Sequence, residues 1–300
     1  MKSALLILLP SLGAFTLGFS PESHLAHGVK MLLPLIAATA VLAILLRRWK
    51  DLGLSLVLCL GSLSLFSCHT LHQAEEAKQQ GRPLRVFAAN LYIGNTELDP
   101  LLQHLQKTQP DFIILTEFGF EQQAALAELH RSHPFGLRSP QNTPFGIAVF
   151  SRFPGRFQLL QDEDILPSIY ADIQLEGRSL RLLASHPFPP LGDTGRERRD
   201  RQLRRLAELL PPGSASQPLI VAGDFNSVPW NAPLSDFAQR LNMRGTSGSY
   251  CHGGTFPTWA GPFGLTLDHI LVSPEFRLKD FQRGPDIGSD HLPISAELEW

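Results

Sequence analysis

Hydrophobic and polar residues follow two different patterns along this chain, and the change comes near residue 80. Before that position, three long runs contain no Asp, Glu, Lys or Arg and are rich in leucine. After it, short apolar runs alternate with amphipathic segments, and Pro or Gly often stands at the joins. The first pattern is typical of membrane spans, and the second is typical of an α/β domain.

The three charge-free runs cover residues 3–20, 31–46 and 52–70. Each comes close to the roughly 20 apolar residues that span a bilayer. We therefore predict three transmembrane helices within residues 1–71. Two alternatives stay open: the first run also suits a cleaved signal peptide, and the other two also suit buried core helices.

A basic loop between the second and third runs predicts the orientation of these spans. Residues 47–50 read Arg-Arg-Trp-Lys, and positive residues beside a span favour the cytoplasmic side. This places the end of the third span on the other side of the membrane. We predict a multi-pass protein of the inner or cell membrane whose C-terminal part faces the periplasm or the cell exterior.

The remaining chain divides into a polar linker, residues 72–83, and a domain, residues 84–300. The periodicity of the domain predicts alternating strands and helices. The predicted strands cover residues 84–89, 111–116, 146–150, 169–175, 180–185, 219–222, 267–272 and 292–298. The predicted helices cover residues 100–108, 118–130 and 196–210.

Charge narrows the classes of partner for the domain. Residues 84–300 contain 19 Lys and Arg against 24 Asp and Glu, a net charge of −5. Proteins that bind nucleic acid mainly through its backbone are usually basic. The composition therefore disfavours strong non-specific binding of DNA.

Polar side chains with chemical potential stand at or near the ends of the predicted strands. A single Asp, Asn or His at such a position is usually structural, but a group of them on rigid strands can form an active site. The group consists of Asn90, Glu117, His186, Asp224, Asn226, Asp268, Asp290 and His291.

Short motifs around these residues resemble one known superfamily. Gly223-Asp224-Phe225-Asn226 follows an apolar strand, Asp268 stands at the head of the strand over residues 267–272, and Ser289-Asp290-His291 precedes the last strand. Residues 145–152 add a strand that runs from Gly to Ser-Arg. In order and spacing, the chain from residue 84 to its end resembles the endonuclease/exonuclease/phosphatase superfamily.

The resemblance implies a fold and a metal ion. The expected fold is a four-layer α/β/β/α sandwich with two mixed sheets, here preceded by the three transmembrane helices. The expected cofactor is Mg²⁺ or Mn²⁺, and a hard cation of this kind prefers oxygen ligands. Glu117 resembles the metal-binding Glu of the family, and Asn90 and Asp290 are predicted to support the ion, directly or through water.

The same resemblance implies catalytic roles for five residues. His291, paired with Asp268, is expected to act as the base that activates water. Asp224 and Asn226 lie two residues apart, so they can face the same side, one orienting water and one binding a phosphate oxygen. His186 is expected to contact phosphate or to protonate the leaving group, although the sequence suggests no acidic partner for it.

The resemblance leaves the substrate open. The first hypothesis is a nuclease-type phosphodiesterase attached to the membrane, and the alternative is a phospholipid or sphingomyelin-type phosphodiesterase. A non-catalytic binding module on the same fold is a third hypothesis. The implied partners are therefore a phosphodiester, from nucleic acid or from a phospholipid headgroup, and the membrane.

Two further segments have open interpretations. The Arg-rich helix over residues 196–210 suits either the capture of phosphate or lipid headgroups, or a solvated face with internal ion pairs. Thr255, Phe256 and Trp259 suit either an aromatic loop over the site or packing in the core.

Overall fold

The structure is a computed structural model that describes residues 74–75, 83–175, 177–210, 217–246 and 254–300. The three predicted transmembrane runs lie outside these ranges, as does the predicted linker except for residues 74, 75 and 83. Among the described residues, no helix has the length and apolar character needed to cross a membrane.

The described residues form twelve strands in two six-stranded sheets. The first sheet has the order β11-β12-β1-β2-β4-β3, and the second has the order β5-β6-β7-β8-β10-β9. Their bounds are β1 Leu84–Asn90, β2 Phe112–Thr116, β3 Phe135–Ser139, β4 Ile147–Ser151, β5 Gly155–Leu160, β6 Ser168–Leu175, β7 Arg178–Ala184, β8 Leu219–Asp224, β9 Arg244–Gly245, β10 Asp268–Val272, β11 Arg277–Arg283 and β12 Ile294–Glu299.

Five α-helices and one 3₁₀-helix connect the described strands. They are α1 Asp99–Thr108, α2 Phe120–Ala125, α3 Leu129–Ser132, α4 Gly192–Leu209, α5 Ala232–Arg240 and the 3₁₀-helix Thr258–Phe263. The prediction of one helix over residues 118–130 is wrong. Ala127 donates to the carbonyl of Ala124 three residues back, and this tight turn separates α2 from α3.

Both sheets are mixed, as predicted. β1 runs parallel to β2 and β7 runs parallel to β8, whereas the other paired strands are antiparallel. Parallel neighbours need crossover connections, which α1 and α4 supply.

The core is divided by the sheets into layers. On β1, Val86 and Ala88 pack against residues of the second sheet, while Phe87 and Ala89 pack with α1. This alternation is what a strand with two buried faces requires. The face of the second sheet that points away from the first sheet packs against Leu203 of α4 and against buried residues of α5. The packing therefore has four layers, helix, sheet, sheet and helix.

The strand registers bring the predicted site residues to one end of the sandwich. Asn90 pairs with Thr116, the residue before Glu117, and Asp224 pairs with Asp268. We call the end of the sandwich that carries these residues the acidic end. Rigid strands thus fix the side chains, and the loops leave them accessible.

A short N-terminal segment contacts the opposite end. Ala74 donates to the carbonyl of Gly245 over 2.8 Å, and Glu75 accepts from the amide of Leu278 over 2.7 Å. The Glu75 carboxylate also pairs with Arg244 at 2.9 Å and with Arg277 at 3.0 Å. These arginines belong to β9 and β11, so Glu75 joins edge strands of the two sheets.

Candidate active site

A buried amide connects the two sheets at the acidic end. Asn90 Nδ2 donates to Glu117 Oε1 over 3.1 Å and to Asp224 Oδ2 over 3.0 Å. Asn90 Oδ1 accepts the backbone amide of Tyr92 at 2.9 Å, which determines the direction of the amide group. Asn90 therefore holds two carboxylates close together, and its Oδ1 uses one of its two lone pairs for the Tyr92 amide.

Glu117 lies just beyond β2 in a conformation that non-glycine residues rarely adopt. Its φ is 53°, and Oε2 accepts the amide of Ile93 at 2.9 Å. Tyr92 and Asn226 also have positive φ, 57° and 48°. Strained backbone of this kind persists where the surrounding contacts define it, and it often occurs at functional sites.

The turn after β8 orients three polar side chains. The backbone amide of Asn226 donates to Asp224 Oδ1 over 2.8 Å. Asn226 Nδ2 donates to the carbonyl of Pro187 over 3.0 Å and lies 3.2 Å from His186 Nε2. His186 Nε2 is also 3.5 Å from Asp224 Oδ2, so His186 has an acidic neighbour that the sequence did not suggest.

His291 has two carboxylate neighbours. Its Nδ1 is 2.8 Å from Asp268 Oδ2, and its Nε2 is 3.7 Å from Asp224 Oδ2. The ring of Phe256 lies against the imidazole, with 4.7 Å between ring centroids. Ser289 Oγ accepts the amide of His291 and donates to the carbonyl of Asn90, which connects the His291 loop to β1.

These contacts set the charges of the site. Burial alone would lower the pKa of His291, but Asp268 and then Asp224 raise this pKa to about 10. For Asp224, burial opposes ionisation, yet His291 and His186 lower the pKa below its usual value. In the metal-free site both shifts favour the charged forms, an imidazolium at His291 and a carboxylate at Asp224.

Two groups of side chains suit a divalent cation. Asp224, Asp268 and His291 offer buried ligand atoms within 4.8 Å of one another, and Asp268 Oδ1 is buried without a hydrogen-bond partner. On the open side, Glu117 and the exposed Asp290 both line the cavity, and the pKa of Asp290 is raised by partial desolvation and by Asp224 and Asp268. Carboxylate oxygens accept several bonds each, so the residues fit a hard cation that keeps some water.

The site opens into a cavity of about 480 Å³. Six of the eight predicted site residues line it, and the two others, Asn90 and Asp268, are buried behind them. The remaining lining residues are apolar. Pro144, Phe145, Pro189, Pro190 and Leu191 form what we call the proline wall, and Phe256, Leu265 and Leu267 form the Phe256 wall.

Sequence reasoning missed the role of one arginine. Arg199 is 1% exposed, and its Nη1 donates to the backbone carbonyl of Asn226 over 3.2 Å. It also pairs with Asp200 at 2.7 Å. The spacing of Arg199, Leu203 and Leu206 places Arg199 on the apolar face of α4, which is a signal that the sequence does carry.

The open interpretations of the other residues are resolved in part. Several arginines of α4 form surface ion pairs, as the solvated-face alternative predicts; Arg205 pairs with Glu208 at 3.5 Å. Phe256 packs on His291, whereas Trp259 is 85% exposed. Thr255 accepts the amides of Leu267 and Asp268 through its hydroxyl, so it supports the strand that carries Asp268.

Comparisons with known proteins agree with this geometry. Residues 87–291 match the model of the Endonuclease/Exonuclease/phosphatase family. No curated protein sequence matches the chain.

Solved structures with the same fold share little sequence with the chain. TDP2 of D. rerio complexed with single strand DNA product has a TM-score of 0.59 at 16% identity, covering 73% of this chain and all of that one. The human Nocturnin catalytic domain with bound sulfate anion has a TM-score of 0.57 at 22% identity, covering 73% and 95%. The mannosyl-6-phosphatase Bt3783 of Bacteroides thetaiotaomicron has 0.55 at 19%, covering 72% and 100%. At these identities the likeness concerns the fold alone.

Proposed function

Because this chain belongs to the endonuclease/exonuclease/phosphatase family, we propose that it is a divalent-metal-dependent hydrolase of phosphodiester bonds. The observation that carries the proposal is the Asn90 amide, which holds Glu117 from one sheet beside Asp224 from the other. A cluster of carboxylates next to a positively charged histidine is suited to binding a cation and a phosphate together.

The metal ion has a defined part in this proposal. Glu117 and Asp290 would hold it, and Asn90 would position the carboxylates from behind. When bound, Mg²⁺ or Mn²⁺ neutralises charge on the phosphate and polarises the phosphorus for attack.

The charges of the site suggest a division of roles among the other residues. Asp224 is ionised and lies at the cavity, so it can take the proton of an attacking water. The sequence suggested His291 as that base, but a pKa of about 10 favours an imidazolium that pairs with a phosphate oxygen. Asn226 and His186 lie beside Asp224 and supply further donors.

For the substrate we propose only the type of bond, a phosphodiester, and two classes of molecule that contain it. Nucleic acid and phospholipid headgroups both contain the phosphodiester that this site would cleave. A structural neighbour holds a single strand DNA product, which supports the nuclease-type hypothesis. The apolar walls of the cavity support the lipid-type alternative.

An assay of the full chain in detergent tests the proposed activity. With Mg²⁺ we expect hydrolysis of bis-p-nitrophenyl phosphate, and EDTA should abolish it. Asp224→Asn keeps the shape of the side chain but removes the proton acceptor, so its rate should fall by at least about 100-fold. The matched control is Asp236→Asn, which changes an exposed acid of α5. Turnover that persists in EDTA would contradict the proposed metal dependence. No turnover of any phosphodiester would favour the hypothesis of a non-catalytic binding module.

Attachment to the membrane with an outward-facing domain is part of the proposal. It is supported by the three charge-free runs and the basic residues at 47–50. Alkaline phosphatase fused to the C-terminus, which is active only outside the cytoplasm, should be active. A fluorescent reporter that folds only in the cytoplasm should stay dark, and a bright signal would exclude this orientation.

A further inference from the structure

The cavity combines a charged floor with apolar walls. Eight of its fourteen lining residues are apolar, and the remaining six are the carboxylates, histidines and Asn226 of the candidate site. Leu191 of the proline wall is 79% exposed, although it lies at the mouth of the cavity. Apolar surface that stays open to water beside a polar site favours a ligand that covers it.

Packing behind the proline wall supports its position. The Phe145 ring lies 5.7 Å from Phe188, centroid to centroid, and the Arg198 guanidinium stacks over Phe188 at 3.7 Å. Leu191 is held by a hydrogen bond from its amide to the carbonyl of Pro189. These contacts hold the proline wall in position, and its proline residues restrict the conformation of the backbone.

Lysine and arginine are missing from the described lining of this cavity. Among the fourteen lining residues there is no Lys or Arg. Arginines of the adjacent α4 have other contacts: Arg196 pairs with Asp193, and Arg201 pairs with Asp164. Proteins that bind nucleic acid neutralise several successive phosphates with Lys and Arg, and the cavity does not provide this.

We propose that the preferred substrate is a small phosphodiester with a single phosphate and an apolar substituent, which lies between the proline wall and the Phe256 wall. This inference rests on the proposed function and specifies its substrate class. The metal and the polar residues of the cavity would bind the one phosphate, and the walls would bury the substituent. An apolar substituent would gain affinity by covering exposed Leu and Phe surface. A polynucleotide would instead need Lys and Arg side chains to neutralise its phosphates.

A series of substrates with a common leaving group tests the inference. The full chain in detergent with Mg²⁺ is assayed against methyl p-nitrophenyl phosphate, hexyl p-nitrophenyl phosphate and thymidine 5′-(p-nitrophenyl phosphate). Because only the substituent varies, differences in kcat/KM report how the substituent binds. We expect kcat/KM for the hexyl ester to exceed that for the methyl ester by about tenfold or more, and to exceed that for the thymidine ester.

Variants of the wall show whether the preference comes from it. Leu191→Ser should lower kcat/KM for the hexyl ester about fivefold and change the methyl ester by less than about twofold. Phe145→Ala is a second variant in the same wall and should act in the same direction. The matched control is Leu159→Ser on β5, which is 42% exposed, does not line the cavity and should change neither ester.

Every outcome distinguishes this inference from the proposed function. Equal turnover of methyl and hexyl esters, or preference for the thymidine ester and a single-stranded oligodeoxynucleotide, would overturn the inference and leave phosphodiester hydrolysis standing. No turnover of any substrate would overturn both. Hydrolysis of monomeric dihexanoylphosphatidylcholine would support a lipid as the source of the substituent, and hydrolysis of the hexyl ester alone would support a soluble alkyl phosphodiester.

Discussion

Asp268 is an example of a residue whose effect is transmitted through a neighbour. Its Oδ2 contacts His291 Nδ1 at 2.8 Å, and its other oxygen is buried without a partner. Because a buried carboxylate favours the charged form of an adjacent imidazole, Asp268 is the main reason for the raised pKa of His291.

We expect Asp268→Asn to lower the pKa of His291 well below 10 in the metal-free protein. An NMR titration of the imidazole signals measures this pKa directly. The raised pKa of His291 also makes the free energy of unfolding depend on pH. Protonated His291 stabilises the folded state fully below pH 6.5, and this stabilisation is lost as the pH rises toward 10. An unchanged His291 pKa in the variant would show that the other carboxylates, Asp224 and Asp290, are responsible.

Arg199 connects α4 to the turn that carries the catalytic candidates. The guanidinium donates to the carbonyl of Asn226, a residue held at a φ of 48°. A fully buried charge is costly unless it is paired, so this contact is expected to define the turn strongly.

Arg199→Met should lower kcat by roughly 10- to 100-fold with little change in KM, because the turn would lose its support while the cavity remains. Arg199→Lys should restore part of the rate. Arg204→Met, at an exposed position of the same helix, is the control. The measurement is steady-state kinetics well below the melting temperature, and equal losses in both variants would contradict a positioning role.

At the scale of elements, the close approach of β7 and β8 depends on a glycine. Gly223 has a φ of 144°, and a Cβ at this position would lie 2.1 Å from the backbone oxygen of Ser185. The two strands bring His186 and Asp224 together, so this approach is part of the site. A larger residue would have to separate the strands.

Gly223→Ala should therefore reduce the free energy of unfolding by about 3 kcal/mol or more, and lower Tm by roughly 6 to 12 °C. Gly177→Ala is the matched control. It also replaces a glycine with positive φ, but no atom lies within 4 Å of the new Cβ, so its cost should be near 1 kcal/mol. Calorimetry of the full chain compares the two, and similar melting temperatures would refute the steric argument.

Some elements could be predicted from the sequence and others could not. The strands that end at Asn90 and Asp224 are short apolar runs buried on both faces, which produce a strong local pattern. The break between α2 and α3 has no such pattern, because a turn after Ala125 replaces helical bonds without a Pro or Gly. Local periodicity does not report the contacts that end a helix.

At the scale of the whole molecule, the fold brings together site residues that lie far apart in the sequence. The eight predicted residues span more than two hundred positions of the chain, and the sheet registers place them around one cavity. The sequence could indicate these residues through their motifs. It could not indicate the contact of Asn90 with Asp224, the acidic neighbour of His186 or the apolar walls, because these depend on tertiary contacts between residues far apart in the chain.

A bound cation should stabilise the whole domain, since it would relieve repulsion among carboxylates that come from both sheets. Mg²⁺ at tenfold its dissociation constant should raise Tm by roughly 3 °C. Glu117→Gln should remove this increase, and Glu121→Gln, at an exposed position of α2, should retain it. Thermal scans with and without EDTA provide the measurement, and a Mg²⁺ effect that survives in Glu117→Gln would exclude Glu117 as a ligand.

The contacts of Ala74 and Glu75 determine where the preceding chain leaves the domain. Both residues sit at the edge formed by β9 and β11, far from Asp268 along β10 and from His291 along β12. Under the proposed membrane attachment, a chain that enters the domain there would place the acidic end farther from the bilayer than the edge formed by β9 and β11. Dissolved molecules or an opposing surface would then reach the cavity more readily than lipids of the anchoring leaflet.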